Sequence, residues 1–118
     1  MQLEQRITDN VAIVRVTGDI TLNKGGNVQL KDKVQSLLQQ GHKNVLVDLN
    51  RVSYVDSAGL GELVQAYATT KNRGGTLKLL NVTKRLRDLL VVTKLLTVFD
   101  TFDNEASALA SFGSAGSA

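Results

Sequence analysis

Apolar and polar positions alternate along Leu3 to Ile7 and again along Val11 to Val16, the two-residue period of strands, and Thr8-Asp9-Asn10 between them predicts a hairpin turn joining antiparallel partners. The second strand is read as ending at Gly18. From Asn27 the period changes: Leu30, Val34, Leu37 and Leu38 recur at i, i+4, i+7 and i+8, and Gly41 follows where a helix takes a left-handed terminator. Asn44-Val-Leu-Val-Asp-Leu-Asn50 is a continuous β-rich run, suited to a central strand covered on both faces. After Val52 to Val55, the positions Leu60, Leu63, Val64, Tyr67 and Ala68 mark a second helix that closes at Asn72-Arg-Gly-Gly75. Thr76 to Leu80 reads as a strand, Lys84 to Val92 as a helix on Leu86, Leu89 and Leu90, and Val98 to Thr101 as a short strand. A last helix begins near Asp103, a good N-cap residue, and Gly113-Ser-Ala-Gly-Ser-Ala118 is expected to be a disordered tail.

The order ββαβαβαβα predicts a single α/β domain over residues 1–112, a mixed β-sheet packed against about four helices, with 113–118 outside it. Right-handed crossovers carry the loops after parallel strands to one edge of such a sheet, where α/β folds place ligands and partners. Two segments are expected to meet there: Gly18-Asp-Ile-Thr-Leu-Asn23 and Val55-Asp-Ser-Ala-Gly-Leu-Gly61.

Composition narrows the chemistry. The 118 residues include no Cys, Trp or Pro, a single His and five aromatics. Without Cys there is no disulfide, thiolate nucleophile or cysteine-ligated metal, and one His leaves no histidine-rich metal site, so no cofactor is expected. The start, Met1-Gln-Leu-Glu-Gln-Arg-Ile7, lacks a signal-peptide core, and no run reaches the ~20 apolar residues that span a bilayer. The expectation is a cytoplasmic protein without membrane insertion. Net charge is only +3, and the densest basic group, Lys84, Arg85 and Arg87, has no interleaved aromatic for base stacking; it reads as a solvated face, with no nucleic acid partner expected.

Ser57 stands between a strand and a helix, which places its hydroxyl at or near the helix N-terminus. A plain capping role accounts for Ser and Asp at such a position. Gly59 and Gly61 in the first turns each cost about 1 kcal/mol relative to Ala, which invites a reason such as close approach by another backbone or a bulky group. A nucleophile elbow needs Gly two residues before the Ser, where Val55 stands, and His42 precedes Ser57 in the chain instead of following it. A phosphate-binding loop needs more than Gly59-Leu-Gly61 and a Lys, so a nucleotide-binding module is the weakest reading.

Val55-Asp56-Ser57-Ala58-Gly59-Leu60-Gly61, after a buried strand and downstream of a Gly18-Asp-Ile-Thr21 turn, resembles the STAS domain, and more narrowly the bacterial anti-sigma factor antagonists. The similarity runs from about Leu3 to Leu109 and takes in the Gly74-Gly75 turn and the Leu-Leu-x-x-Thr-x-Leu stretch at Leu89 to Leu95. The resemblance implies a non-enzymatic protein that binds an anti-sigma factor serine kinase, displaces its sigma factor, is phosphorylated at Ser57 and is restored by a serine phosphatase. Its contact surface would comprise Asp19, Thr21, Asn23, Asp56, Ser57, Gly59, Leu60 and Gly61. The sequence departs from the family pattern where Thr21 replaces a commonly acidic residue, Ala58 a frequent Ser or Thr, and Lys94 the Gly that usually ends the third helix. A phosphorylation-independent scaffold or adaptor, in a signalling or lipid-transport complex, is the other reading, and Thr21 supports it.

The remaining candidates have simpler explanations. His42 follows a helix-ending Gly and reads as a favourable partial charge at a helix C-terminus, and Asp48 as a structural hydrogen-bonding group. Leu89-Leu-Val-Val92 with Leu95-Leu96 reads first as core, and because it holds more hydrophobes than one helix face buries, a protein contact is the other reading for part of it.

Overall fold

The structure, a computed structural model, describes residues 2–8, 10–20 and 29–117, with side chains as far as Phe112. The elements follow the order read from the sequence: β1 (Gln2–Thr8), β2 (Val11–Ile20), α1 (Gln29–Gln39), β3 (Asn44–Val55), α2 (Ser57–Asn72), β4 (Thr76–Leu80), α3 (Lys84–Val92), β5 (Thr101–Phe102) and α4 (Glu105–Ser117). They form one sheet in the order β1-β2-β3-β4-β5. A tight connection at Asn10, in the left-handed region with φ 68°, sets β1 antiparallel to β2. Each later neighbour is reached through a helix and is parallel.

Strand alternation sorts the apolar residues into two cores. Ala12, Val14 and Val16 of β2, Val45, Val47 and Leu49 of β3, and Leu77 and Leu79 of β4 face α1, α2 and α3, which contribute Leu30, Val34, Leu37, Leu60, Leu63, Leu86 and Leu90. The opposite side chains, Val11, Ile13, Leu46 and Leu80, meet Ala108 and Phe112 of α4. This two-sided cover is why β3 reads as an unbroken apolar run.

Two helix ends show how the backbone stops. Gly41 takes φ 96° while its own N–H donates to Leu38 and that of His42 donates to Leu37, the double bond that closes a helix through a left-handed residue. Lys94 does the same after α3, at φ 62°, with its N–H on Val91 and that of Leu95 on Leu90. A side chain thus stands where Gly would be unstrained.

Several boundaries differ from the expected ones. β2 continues past Gly18 to Ile20, because irregularities between Arg15 and Thr17 and between Gly18 and Asp19 let its pairing with β3 persist to Ile20 opposite Val55. β3 runs through Arg51 without a break. The last strand is the two residues Thr101–Phe102, not Val98 to Thr101. α4 is capped by Asn104, whose Oδ1 accepts from the Ser107 N–H, because Phe102 is still held in the sheet and Asp103 is spent on the bend. The backbone of α4 runs from Glu105 to Ser117. Asn27, where the first helical pattern was read to begin, lies outside the described residues.

Candidate functional site

The C-terminal ends of β2 and β3 lie side by side, with Asp19 opposite Tyr54 and Ile20 opposite Val55. The Asp56 N–H donates to the Ile20 carbonyl at 3.4 Å, tying the start of α2 to the end of β2. Asp56 is the N-cap: its backbone is extended, and its Oδ1 accepts from the Gly59 N–H at 2.7 Å. The Asp56 carbonyl takes the first helical bond, from Leu60, at 2.9 Å. Asp56 therefore satisfies the cap, and Ser57 is the first helical residue, exposed, with no hydrogen-bond partner for its hydroxyl among the described residues. The capping explanation belongs to its neighbour.

The two glycines of this turn have different reasons. A Cβ on Gly59 would lie 1.8 Å from the Ile20 carbonyl oxygen, so only a bare Cα lets α2 seat on the end of β2. A Cβ on Gly61 would meet nothing within 4 Å. The fold requires the first glycine and leaves the second unexplained.

Of the residues expected at a partner surface, Asp19 and Asp56 are half-buried, and Ser57 is exposed at the same edge. Gly59 and Leu60 are buried, Leu60 at 4% exposure inside the larger core, so both shape the edge from beneath instead of touching a partner. Thr21 and Asn23 lie outside the described residues. Arg85, at the start of α3, stacks its guanidinium 5.6 Å from the centre of the Tyr54 ring, which brings one charge of the basic cluster toward this edge. Lys84 pairs instead with Asp88 one turn on, at 3.7 Å.

Glu62 was not foreseen. It is 5% exposed, and its Oε1 accepts from the Leu30 N–H at 2.7 Å, capping α1 from α2, while Oε2 has no hydrogen-bond partner among the described residues. Burial raises its carboxyl above the ordinary range; the backbone donors of Leu30 and Lys31 oppose this, and Asp32 adds to it. The only trace in the sequence is an acid between the core positions Leu60 and Leu63. Asp48, by contrast, is structural as expected: it accepts from Asn50 N–H at 3.0 Å, Asn81 Nδ2 at 3.2 Å and Arg15 Nε at 3.4 Å. His42 is half-buried beyond the end of α1. Of the apolar run, Leu90 is core and Leu89, Leu95 and Leu96 pack against it partly buried, whereas Val91 and Val92 are 54% and 78% exposed.

The model of the STAS domain family matches residues 2–108. This chain belongs to the STAS domain family. Within it, the chain groups with the anti-sigma factor antagonists: the anti-sigma-B factor antagonist of Bacillus subtilis (strain 168) is 35% identical over 97 residues, covering 77% of this STAS protein and 88% of the relative. The Thermotoga maritima protein TM1081 shares the STAS fold with a TM-score of 0.83 at 21% identity, over 92% of each chain. The Bacillus cell fate determinant SpoIIAA, solved in its phosphorylated form, superposes with a TM-score of 0.72 at 18% identity over 94% of this chain and 99% of that one. Among the described residues, no helix of the STAS domain is long and apolar enough to cross a membrane.

Proposed function

We propose that this STAS domain is a cytoplasmic, non-catalytic anti-sigma factor antagonist. It binds an anti-sigma factor serine kinase through the edge formed by Asp19, Asp56, Ser57 and Gly61, and thereby releases a sigma factor. Phosphorylation of Ser57 switches it off, and a serine phosphatase restores it. The observation that carries this reading is the Ser57 hydroxyl, exposed and unengaged among the described residues at the first position of α2, while the neighbouring Asp56 does the capping. The relatives named as anti-sigma factor antagonists and the phosphorylated form of SpoIIAA support it.

The reaction needs no catalytic group from this chain. The Ser57 oxygen attacks the γ-phosphorus of ATP bound to the kinase, its proton leaves to a base on that enzyme, and ADP departs. The product adds about −1.5 to −2 charges beside the Asp56 carboxylate. The helix N-terminus favours a phosphate at that place, so the fold is kept while the contact surface changes. A carboxylate of the kinase ~5 Å from that phosphate, at an effective dielectric of ~20, would repel it by about 3 kcal/mol, more than the ~2.7 kcal/mol that separates a hundredfold difference in affinity.

The test is incubation with an anti-sigma factor serine kinase and ATP, followed by mass spectrometry and binding measurements. Phosphate on Ser57, with the kinase binding wild type and Ser57→Ala far more tightly than Ser57→Asp, is the expected result. An unmodified Ser57, with equal binding of wild type and Ser57→Asp, would refute the switch and favour a phosphorylation-independent scaffold.

A further inference from the structure

The two edges of the sheet are treated differently. β5 is only two residues long, which leaves little backbone to pair with. β1 is seven residues long, carries no Pro, and pairs with β2 in unbroken register from Gln2 opposite Thr17 to Thr8 opposite Val11. Its outer side therefore presents a regular row of backbone groups unpaired among the described residues, with Glu4, Gln5, Arg6 and Ile7 all exposed. Natural edges usually carry short strands, bulges, Pro or charges that repel a copy of themselves.

Here the charges do the reverse. We propose that β1 is the surface through which two copies of this chain associate, pairing antiparallel about Gln5 into one continuous sheet. Reversed about Gln5, the strand Gln2-Leu-Glu-Gln-Arg-Ile-Thr8 is complementary to itself: Gln2 meets Thr8, Leu3 meets Ile7, and Glu4 meets Arg6, each twice by the two-fold symmetry. Both faces of the seam then match the sheet behind them. On the α4 side, Asp48 holds Arg15, Arg15 lies across from Glu4, and Arg6 holds Glu105 at 2.7 Å. Joining Glu4 to Arg6 of the second copy makes a row of alternating sign, Asp48, Arg15, Glu4, Arg6, Glu105, running through the interface. On the other side, Leu3 lies across from Val16 and Ile7 across from Ala12, so Leu3 against Ile7 of the second copy extends an apolar row. Ile7, 45% exposed in the single chain, gains a covered place.

The pairing also leaves the Ser57 edge free. A two-fold axis normal to the sheet reverses β3 in the second copy, so the two Ser57 ends point in opposite directions and neither lies at the seam. The area involved is that of one strand edge, well below a standard interface, so a weak dimer with a dissociation constant on the order of 10⁻⁵ to 10⁻⁴ M is expected.

Sedimentation equilibrium of the full chain from about 5 to about 500 µM in low salt tests this range. Arg6→Glu and Glu4→Arg each place like charges across the seam twice and are expected to weaken self-association about tenfold or more. An equimolar mixture of these two variants restores opposite charges at every pair and is expected to associate as a heterodimer, as is the doubly swapped E4R/R6E chain with itself. Far-UV circular dichroism checks that each variant is folded. A wild type that stays monomeric at the highest concentration, single variants that associate as well as wild type, or a mixture and a double swap no better than the single variants would each overturn the proposal.

Discussion

Replacing Gly59 and Gly61 by Ala, one at a time, should change stability in opposite directions. At Gly59 the new methyl carbon would lie 1.8 Å from the Ile20 carbonyl oxygen, and the neighbour is backbone, with no rotamer to turn away. Reaching an ordinary contact of 3.4 Å requires α2 and the end of β2 to separate by about 1.6 Å. That shift would break the Asp56 N–H bond to Ile20, already at 3.4 Å, and loosen Leu60 and Leu63 in the larger core. Overpacking of a well-filled interior costs about 1–3 kcal/mol, and a lost hydrogen bond about 1 kcal/mol more, so Gly59→Ala should destabilise by roughly 2–4 kcal/mol. At Gly61 the methyl meets nothing within 4 Å, and Ala gains the helix propensity that Gly lacks, so this variant should be more stable by about 0.5–1 kcal/mol. Urea unfolding followed by circular dichroism measures both. If Gly61 lies on the proposed partner edge, its more stable variant should also bind an anti-sigma factor kinase more weakly, which a titration measures separately. A Gly59→Ala protein within 0.5 kcal/mol of wild type, or a Gly61→Ala protein that is clearly destabilised, would refute the reasoning from backbone approach.

Three further substitutions probe other parts of the structure. Asp56→Ala removes the carboxylate that holds the Gly59 N–H and should cost about 1 kcal/mol in urea unfolding without loss of the fold. Lys94→Gly relieves a side chain at φ 62° and should stabilise by about 1 kcal/mol, seen as a rise in Tm; no rise would mean that the left-handed backbone at this position is not strained. Glu62→Gln tests the buried carboxyl. Because burial raises its value in the folded chain, the folded state binds the proton more readily than the unfolded one, and stability from this group is present at low pH and is lost as pH rises from the ordinary value near 4.5 through the folded value. Gln keeps an acceptor for the Leu30 N–H and removes the charge, so the variant should be more stable than wild type at pH 7, with the gap closing as pH falls toward 4.5 and below, as read from unfolding curves across that range.

The element order, the central place of β3 and the strand-to-helix turn at Ser57 were legible because each rests on local chemistry. Period-2 and period-3.6 patterns decide strand and helix, Gly41 decides where α1 stops, and the Asp-Ser-x-Gly-Leu-Gly string marks a strand-to-helix junction. The left-handed position of Lys94 was indicated only by the family resemblance, in which Gly usually ends the third helix. The tertiary structure decided matters of distance between segments far apart in the chain. It showed that Gly59 is required by Ile20, thirty-nine residues earlier, while Gly61 is not; that Asp56, not Ser57, caps α2; and that Leu60 belongs to the core. It also supplied the cap of α1 from Glu62, because a capping oxygen need only be near an N–H in space. Periodicity assigns a residue to a face of its own element, whereas the neighbour across that face is set by how helices and strands pack. The sequence therefore placed Ser57 at the strand-to-helix junction, and the packing explained why its hydroxyl is left without a structural task among the described residues.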